Sequence, residues 1–207
     1  MAIVSQRRPL LIGLTGNVGT GKSTVAAMLA ELGAETVDAD KVGHEVIRPG
    51  TPACEAVVRA FGPGILTRDG EIDRARLASQ AFADPDALAR LEAIVHPPTI
   101  EAIEERIASS SAPVFVIEAI KLVEAGMADR CDQVWVTICT VELQFKRVVE
   151  GRGWTRSETR RRLQAQSPQQ EKVARANVVI DTSVSLSHTR SQVEAAWADL
   201  RRSGLRL

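Results

Sequence analysis

Apolar residues recur along this chain in two alternating patterns, short continuous runs and longer stretches with helical spacing. The runs are Leu10 to Leu14, Glu35 to Val37, Val114 to Ile117, Gln133 to Ile138 and Asn177 to Ile180. Short and rich in Val and Ile, they read as strands buried on both faces of a parallel sheet. The amphipathic stretches between them, beginning with Val25 to Leu32, read as helices. Strands alternating with helices predict an α/β fold.

Between about residues 44 and 108 the pattern changes. Helical periodicity is interrupted at Arg48-Pro49-Gly50, Gly62-Pro63-Gly64 and Asp84-Pro85, and no run reads as a strand. This predicts a helical insert at 44–108 within a core made of 1–43 and 109–207. Asp84 suits an N-cap with Pro85 at the first helical position, opening a helix that runs toward His96. Pro97 and Pro98 are expected to kink or break that helix. A second distinctive segment spans Gln144 to Arg175, where nine basic residues face Glu150, Glu158 and Glu171. Within it Thr155 and Glu158 have capping-box spacing, starting a helix that carries Arg160, Arg161 and Arg162.

Composition narrows the partners. With 207 residues, 44% of them hydrophobic, the chain can bury a substantial core. Its 26 basic and 26 acidic residues balance to zero, so nothing overall draws it to nucleic acid or an anionic membrane. Trp135, Trp154 and Trp197 are scattered and do not form a stacking platform for bases. No apolar stretch reaches membrane-spanning length and the N-terminal residues lack a secretory apolar region, so a cytoplasmic location is expected. Cys54, Cys131 and Cys139 lack metal-ligand spacing and read as ordinary buried thiols.

The sharpest chemical signal follows the first strand. Gly16, Asn17, Val18, Gly19, Thr20, Gly21, Lys22 and Ser23 fit G-x-x-x-x-G-K-S/T, with Thr24 continuing into the helix. Glycines let consecutive N–H groups turn into one concavity at a helix N-terminus, which binds phosphate. Lys22 is then expected to reach the outer phosphates of ATP, and the Ser23 hydroxyl to ligate the accompanying Mg²⁺. Asp38 and Asp40 end the second strand, where alternation would turn both carboxylates to one side. Either is suited to accept a proton or to hold metal-bound water, and both could instead cap the helix starting near Lys41. Glu118 ends the third strand, where it serves Mg²⁺ through water or stands as an exposed strand end. His96 faces either core or substrate. In the basic segment Arg147 and Arg152 suit a lid that closes on the transferring phosphoryl group.

Taken together these motifs resemble the dephospho-CoA kinase family over nearly the whole chain. The matching residues are Ile12-Gly-Leu-Thr-Gly-Asn-Val-Gly-Thr-Gly-Lys-Ser-Thr24, Val37-Asp-Ala-Asp40, Pro49-Gly50, Ile94-Val-His-Pro97, Gln144-x-x-Arg147 and Val179-Ile-Asp181. The resemblance implies a three-layer P-loop NTPase fold with a five-stranded parallel sheet, a helical insert that binds the CoA substrate, and a helical lid within about 144–175. It implies transfer of the γ-phosphoryl of Mg-ATP to the ribose 3′-hydroxyl of dephospho-CoA by a monomer or small homo-oligomer with small-molecule partners only. Asp40 resembles the family's catalytic base, Lys22 its phosphate-binding lysine and Arg147 its lid arginine, with Asp38 near the metal and residues 177–183 near adenine. The chain departs from the pattern at Asn17 and Thr20, in the Glu118 to Glu124 element, and at Thr182-Ser183. Lys121 adds a cation where the family is apolar, to meet a substrate phosphate or lie at the surface. The rival readings are another small metabolite or nucleoside monophosphate kinase and a nucleotide switch, although the Asn-Lys-x-Asp of guanine-specific switches is absent.

Overall fold

The structure is a computed structural model that describes residues 8–152 and 154–202, the Arg152 side chain excepted, so Arg152 as a lid residue lies outside what is described. The chain divides into two compact units, one of Met1–Asp38 with Ser110–Leu207 and the other of Ala39–Ser109. The second unit begins directly after the second strand, not at residue 44, and so takes in Asp40.

The first unit is built on five parallel strands, β1 (Leu10–Thr15), β2 (Glu35–Asp38), β3 (Val114–Glu118), β4 (Gln133–Ile138) and β5 (Val178–Asp181), ordered β2-β3-β1-β4-β5. Its helices, numbered along the whole chain, are α1 (Lys22–Glu31), α6 (Val141–Arg152), α7 (Arg156–Gln164), α8 (Gln169–Val173) and α9 (Leu186–Arg202). β1 is central and buried at every position, as its unbroken apolar run requires. Leu10, Ile12 and Leu14 alternate onto the face that also buries Val25, Met28 and Leu29 of α1 and Val193 and Trp197 of α9. Each such side chain contributes roughly 1.5–3 kcal/mol when removed from water.

Strand order fixes where a ligand can enter. β1 leads through α1 to β2 on one side of the sheet, while its neighbour β4 leads to β5 on the other. Connections that diverge leave a crevice at the carboxyl ends of the two strands between them. Register brings β2 and β3 to that same edge, with Asp38 paired to Glu118 and Glu118 paired to Leu14.

The second unit holds α2 (Ala39–Val46), α3 (Pro52–Phe61), α4 (Arg74–Ala81) and α5 (Pro85–Ser109) around Ile47, Val57, Ile65 and Leu77. Its helix starts are set locally: Thr51 accepts the Cys54 N–H, and Asp73 those of Ala75 and Arg76. Glu45 pairs with Arg106 across 2.5 Å, tying α2 to α5. Of the kink or break expected at Pro97 and Pro98, the break does not occur, because α5 continues to Ser109. Two missing N–H groups leave the carbonyls one turn earlier without helical donors. The Thr99 hydroxyl donates to Val95 O at 2.7 Å, while Thr99 and Ile103 are buried and hold the second half of the helix in place. His96 therefore stands in mid-helix, half-buried, and not at a helix end. Among the described residues no helix is long and apolar enough to cross a membrane.

Candidate active site

The loop from Gly16 to Gly21 leaves β1 at the crevice and enters α1 at Lys22. Its glycines are required by geometry as well as conformation. A Cβ on Gly16 would lie 2.5 Å from Thr137 O, and one on Gly19, whose φ is +82°, would lie 2.9 Å from Gln144 O. The Lys22 side chain is buried, with Nζ donating to the carbonyls of Gly16 at 2.9 Å and Asn17 at 3.2 Å. Thr20 turns inward, its hydroxyl 2.7 Å from both Asn17 O and the Thr137 hydroxyl, so this side chain secures the loop to β4.

Carboxylates close the other side. Ser23 Oγ donates to Glu118 Oε1 at 2.8 Å, and Asp38 is the register neighbour of Glu118. A serine hydroxyl with nearby carboxylates is a hard-oxygen donor set of the kind Mg²⁺ takes together with substrate phosphates. Among the described residues no group of three or more His, Cys, Asp or Glu is placed to hold a metal ion.

Arg147 reaches the loop from α6. Its guanidinium donates to Thr182 Oγ1 and Thr182 O, both at 2.8 Å, and to Gly19 O at 3.5 Å. Thr182 in turn donates to Thr20 O at 2.9 Å. Arg156, Arg160, Arg161 and Arg162 are exposed, and Arg162 stacks 4.0 Å above Trp154 while pairing with Glu158. The capping box is thus half made: Thr155 accepts the Glu158 N–H, but the Glu158 carboxylate serves Arg162.

The first unit therefore brings Gly16 to Thr24, Asp38, Glu118 and Arg147 to one sheet edge. Asp40 and His96 belong to the second unit. Strand alternation does not relate Asp38 to Asp40, because the strand ends at Asp38 and Asp40 lies exposed in the first turn of α2. A carboxylate is favoured there by the helix dipole. Lys121 is exposed in the turn after β3.

Three glutamines hold the loop, and of these only Gln144, in the Gln144-x-x-Arg147 motif, is marked in the sequence. Gln166 Oε1 accepts the Val18 N–H at 2.7 Å, Gln169 Oε1 accepts the Asn17 N–H at 3.1 Å, and Gln144 Nε2 donates to Val18 O at 2.6 Å.

A glycine loop that enters a helix from the central strand of a sheet in this order makes the protein a member of the P-loop nucleotide-binding class. TT1252 from Thermus thermophilus superposes with a TM-score of 0.82 at 34% identity, covering 94% of this chain and 99% of that one. The dephospho-CoA kinase of Campylobacter jejuni, at 23% identity and a TM-score of 0.67, covers 93% and 98% and shares the fold. Sequence narrows the class to one family. The dephospho-CoA kinase family profile matches residues 10–188, and the Geobacter sulfurreducens dephospho-CoA kinase is 47% identical over 191 residues, covering 91% of this chain and 97% of its own. That of Symbiobacterium thermophilum is 43% identical, covering 90% and 80%. The chain belongs to the dephospho-CoA kinase family.

Proposed function

We propose that the protein transfers the γ-phosphoryl group of ATP to the ribose 3′-hydroxyl of dephospho-CoA, giving coenzyme A and ADP. The observation that carries the reading is the family match across residues 10–188, which spans both units. The loop from Gly16 to Thr24 binds the ATP phosphates, and Lys22 extends from its resting carbonyls to the outer two. Ser23, with Asp38 and Glu118 through water, would hold Mg²⁺, which would supply neutralisation of the phosphate charge. Arg147 stabilises the charge that develops on the transferring group. Residues 177–183 approach adenine.

The helical unit binds dephospho-CoA, with His96 as a contact there, and Lys121 in the turn after β3 is a further substrate contact. Asp40 orients the sugar hydroxyl and accepts its proton. It need not be a strong base, because a loose transition state deprotonates the nucleophile late. Positioning and electrostatics then supply most of the acceleration.

The test is incubation with Mg-ATP and dephospho-CoA, with the product read by mass spectrometry and phosphorus NMR. One phosphate gained at the 3′ position is expected. Asp40→Asn should retain ATP binding while the rate falls about 10²–10⁴-fold, the usual range for a lost general base. An unmodified acceptor, alongside normal ATP binding, would overturn the substrate assignment.

A further inference from the structure

We infer that Gln144, Gln166 and Gln169 are positioning residues that clamp the first half of the phosphate loop before nucleotide arrives. The inference rests on the ATP-binding reading of that loop. A peptide group that leaves a strand at a glycine turn must find hydrogen-bond partners elsewhere. At Val18 both halves of the requirement are met by side chains from distant parts of the chain, Gln166 taking the N–H and Gln144 the carbonyl. At Asn17 the N–H goes to Gln169. Two successive amides are thus bound by neutral oxygens, where a carboxylate would repel the incoming triphosphate.

The clamp is itself anchored. Gln169 Nε2 donates to Thr137 O on β4 at 3.1 Å, so one side chain bridges loop and sheet. Between the two glutamines, the Ser167 hydroxyl donates to Glu124 at 2.7 Å and the Ser167 backbone carbonyl accepts from Asn17 Nδ2 at 3.3 Å. Glu124 also pairs with Lys172, which is buried. Residues 166–169 are therefore held at both flanks while presenting two amide oxygens to adjacent loop N–H groups. Fixing residues 17 and 18 in this way leaves Gly19 to Ser23 one arrangement in which to meet the phosphates, so part of the ordering entropy is removed before binding.

Gln166→Met and Gln169→Met keep side-chain volume and remove the acceptor. Each is expected to weaken equilibrium ATP binding about tenfold, roughly the cost of ordering one further loop residue on binding. The KM for ATP should rise in step while the KM for dephospho-CoA stays within twofold. Hydrogen exchange in the absence of nucleotide gives a second readout. The Val18 amide should be protected in the wild type, unprotected in Gln166→Met, and protected again in Gln166→Glu, which restores an acceptor oxygen. ATP affinity within twofold of wild type in both methionine variants, or tighter binding, would overturn the clamp. Should either variant fold poorly, the wild-type exchange decides, and a rapidly exchanging Val18 amide would overturn it too. A wild type that binds ATP but transfers nothing to dephospho-CoA would fail the proposed reaction and leave the affinity comparison to decide the clamp.

Discussion

Ser23 donates its hydroxyl hydrogen to Glu118 across 2.8 Å, joining the first turn of α1 to the end of β3. The bond orients a hydroxyl oxygen and a carboxylate toward the same edge of the sheet as Asp38. Replacing Glu118 by Gln keeps an acceptor for Ser23 but removes the charge. The Mg²⁺ concentration for half-maximal rate should then rise about tenfold, a change of roughly 1.4 kcal/mol. Initial rates over a Mg²⁺ titration at fixed ATP give the answer, and an unchanged midpoint would remove Glu118 from the metal site.

Arg147 makes two parallel contacts with Thr182, one to the hydroxyl and one to the carbonyl, each at 2.8 Å. Lysine carries the charge but not the planar fork. Arg147→Lys should therefore lower kcat about 10²-fold, the order seen on losing one electrostatic donor to a transition state. Thr182→Val, which removes one of the three acceptors of the guanidinium, should have a smaller effect in the same direction. Steady-state kinetics on both variants tests the ranking.

β1 and β3 were legible because a strand buried on both faces is an uninterrupted apolar run. The edge strands β2 and β5, expected to be equally buried, expose Glu35, Thr36 and Val179 because each has a strand neighbour on one side only. The phosphate loop was legible because its determinants are contiguous. Asp40 was misread as strand-borne since two residues past a short strand carry no periodic signal, and helix α2 begins at once. Pro97 and Pro98 argued for a break on local grounds, while the burial of Thr99 and Ile103 that keeps α5 whole is tertiary. Gln166 and Gln169 were invisible for a further reason. They lie in a segment whose arginines dominate the pattern, and their partners stand about 150 residues earlier in the loop. Lys172 likewise counted as one charge of a basic run, although it is buried against Glu124.

That pair makes a prediction on the acid side. Burial alone would raise the Glu124 carboxyl, but hydrogen bonds from Lys172 and Ser167 outweigh it and hold the group below the ordinary glutamate range. Glu124 thus binds its proton more weakly folded than unfolded, so its stabilisation is full above about pH 4.5 and lost as pH falls further. Lys172→Met removes that dependence and leaves a half-buried carboxylate without its cation. Stability at pH 7 should fall by about 2–4 kcal/mol, and pairing it with Glu124→Leu should recover much of the loss. Urea unfolding of both variants at pH 4 and pH 7 measures the two effects, and equal losses at the two pH values would refute the linkage.

Cys131 supplies the alkaline counterpart. Cys131 and Cys139 are half-buried, where all three cysteines were expected to be buried. The Cys131 thiol donates to Met127 O at 3.4 Å, and partial burial, aided by the Asp132 charge, pushes its pKa up to about 11 from 9.0. The thiolate is disfavoured in the folded protein, so the unfolded chain loses this proton first as pH rises. Any stabilisation from the neutral thiol is therefore complete below pH 9 and declines from there to about pH 11. Wild type should lose stability over that interval more steeply than Cys131→Ala, whatever the cavity left by the substitution does to both values equally. The same burial predicts chemistry at lower pH. At pH 8 only about one Cys131 in a thousand is thiolate, so iodoacetamide should modify it about 100-fold more slowly than in the urea-unfolded chain. Peptide mapping after timed alkylation resolves the site, and labelling at the unfolded rate would show that the thiol is neither buried nor shifted.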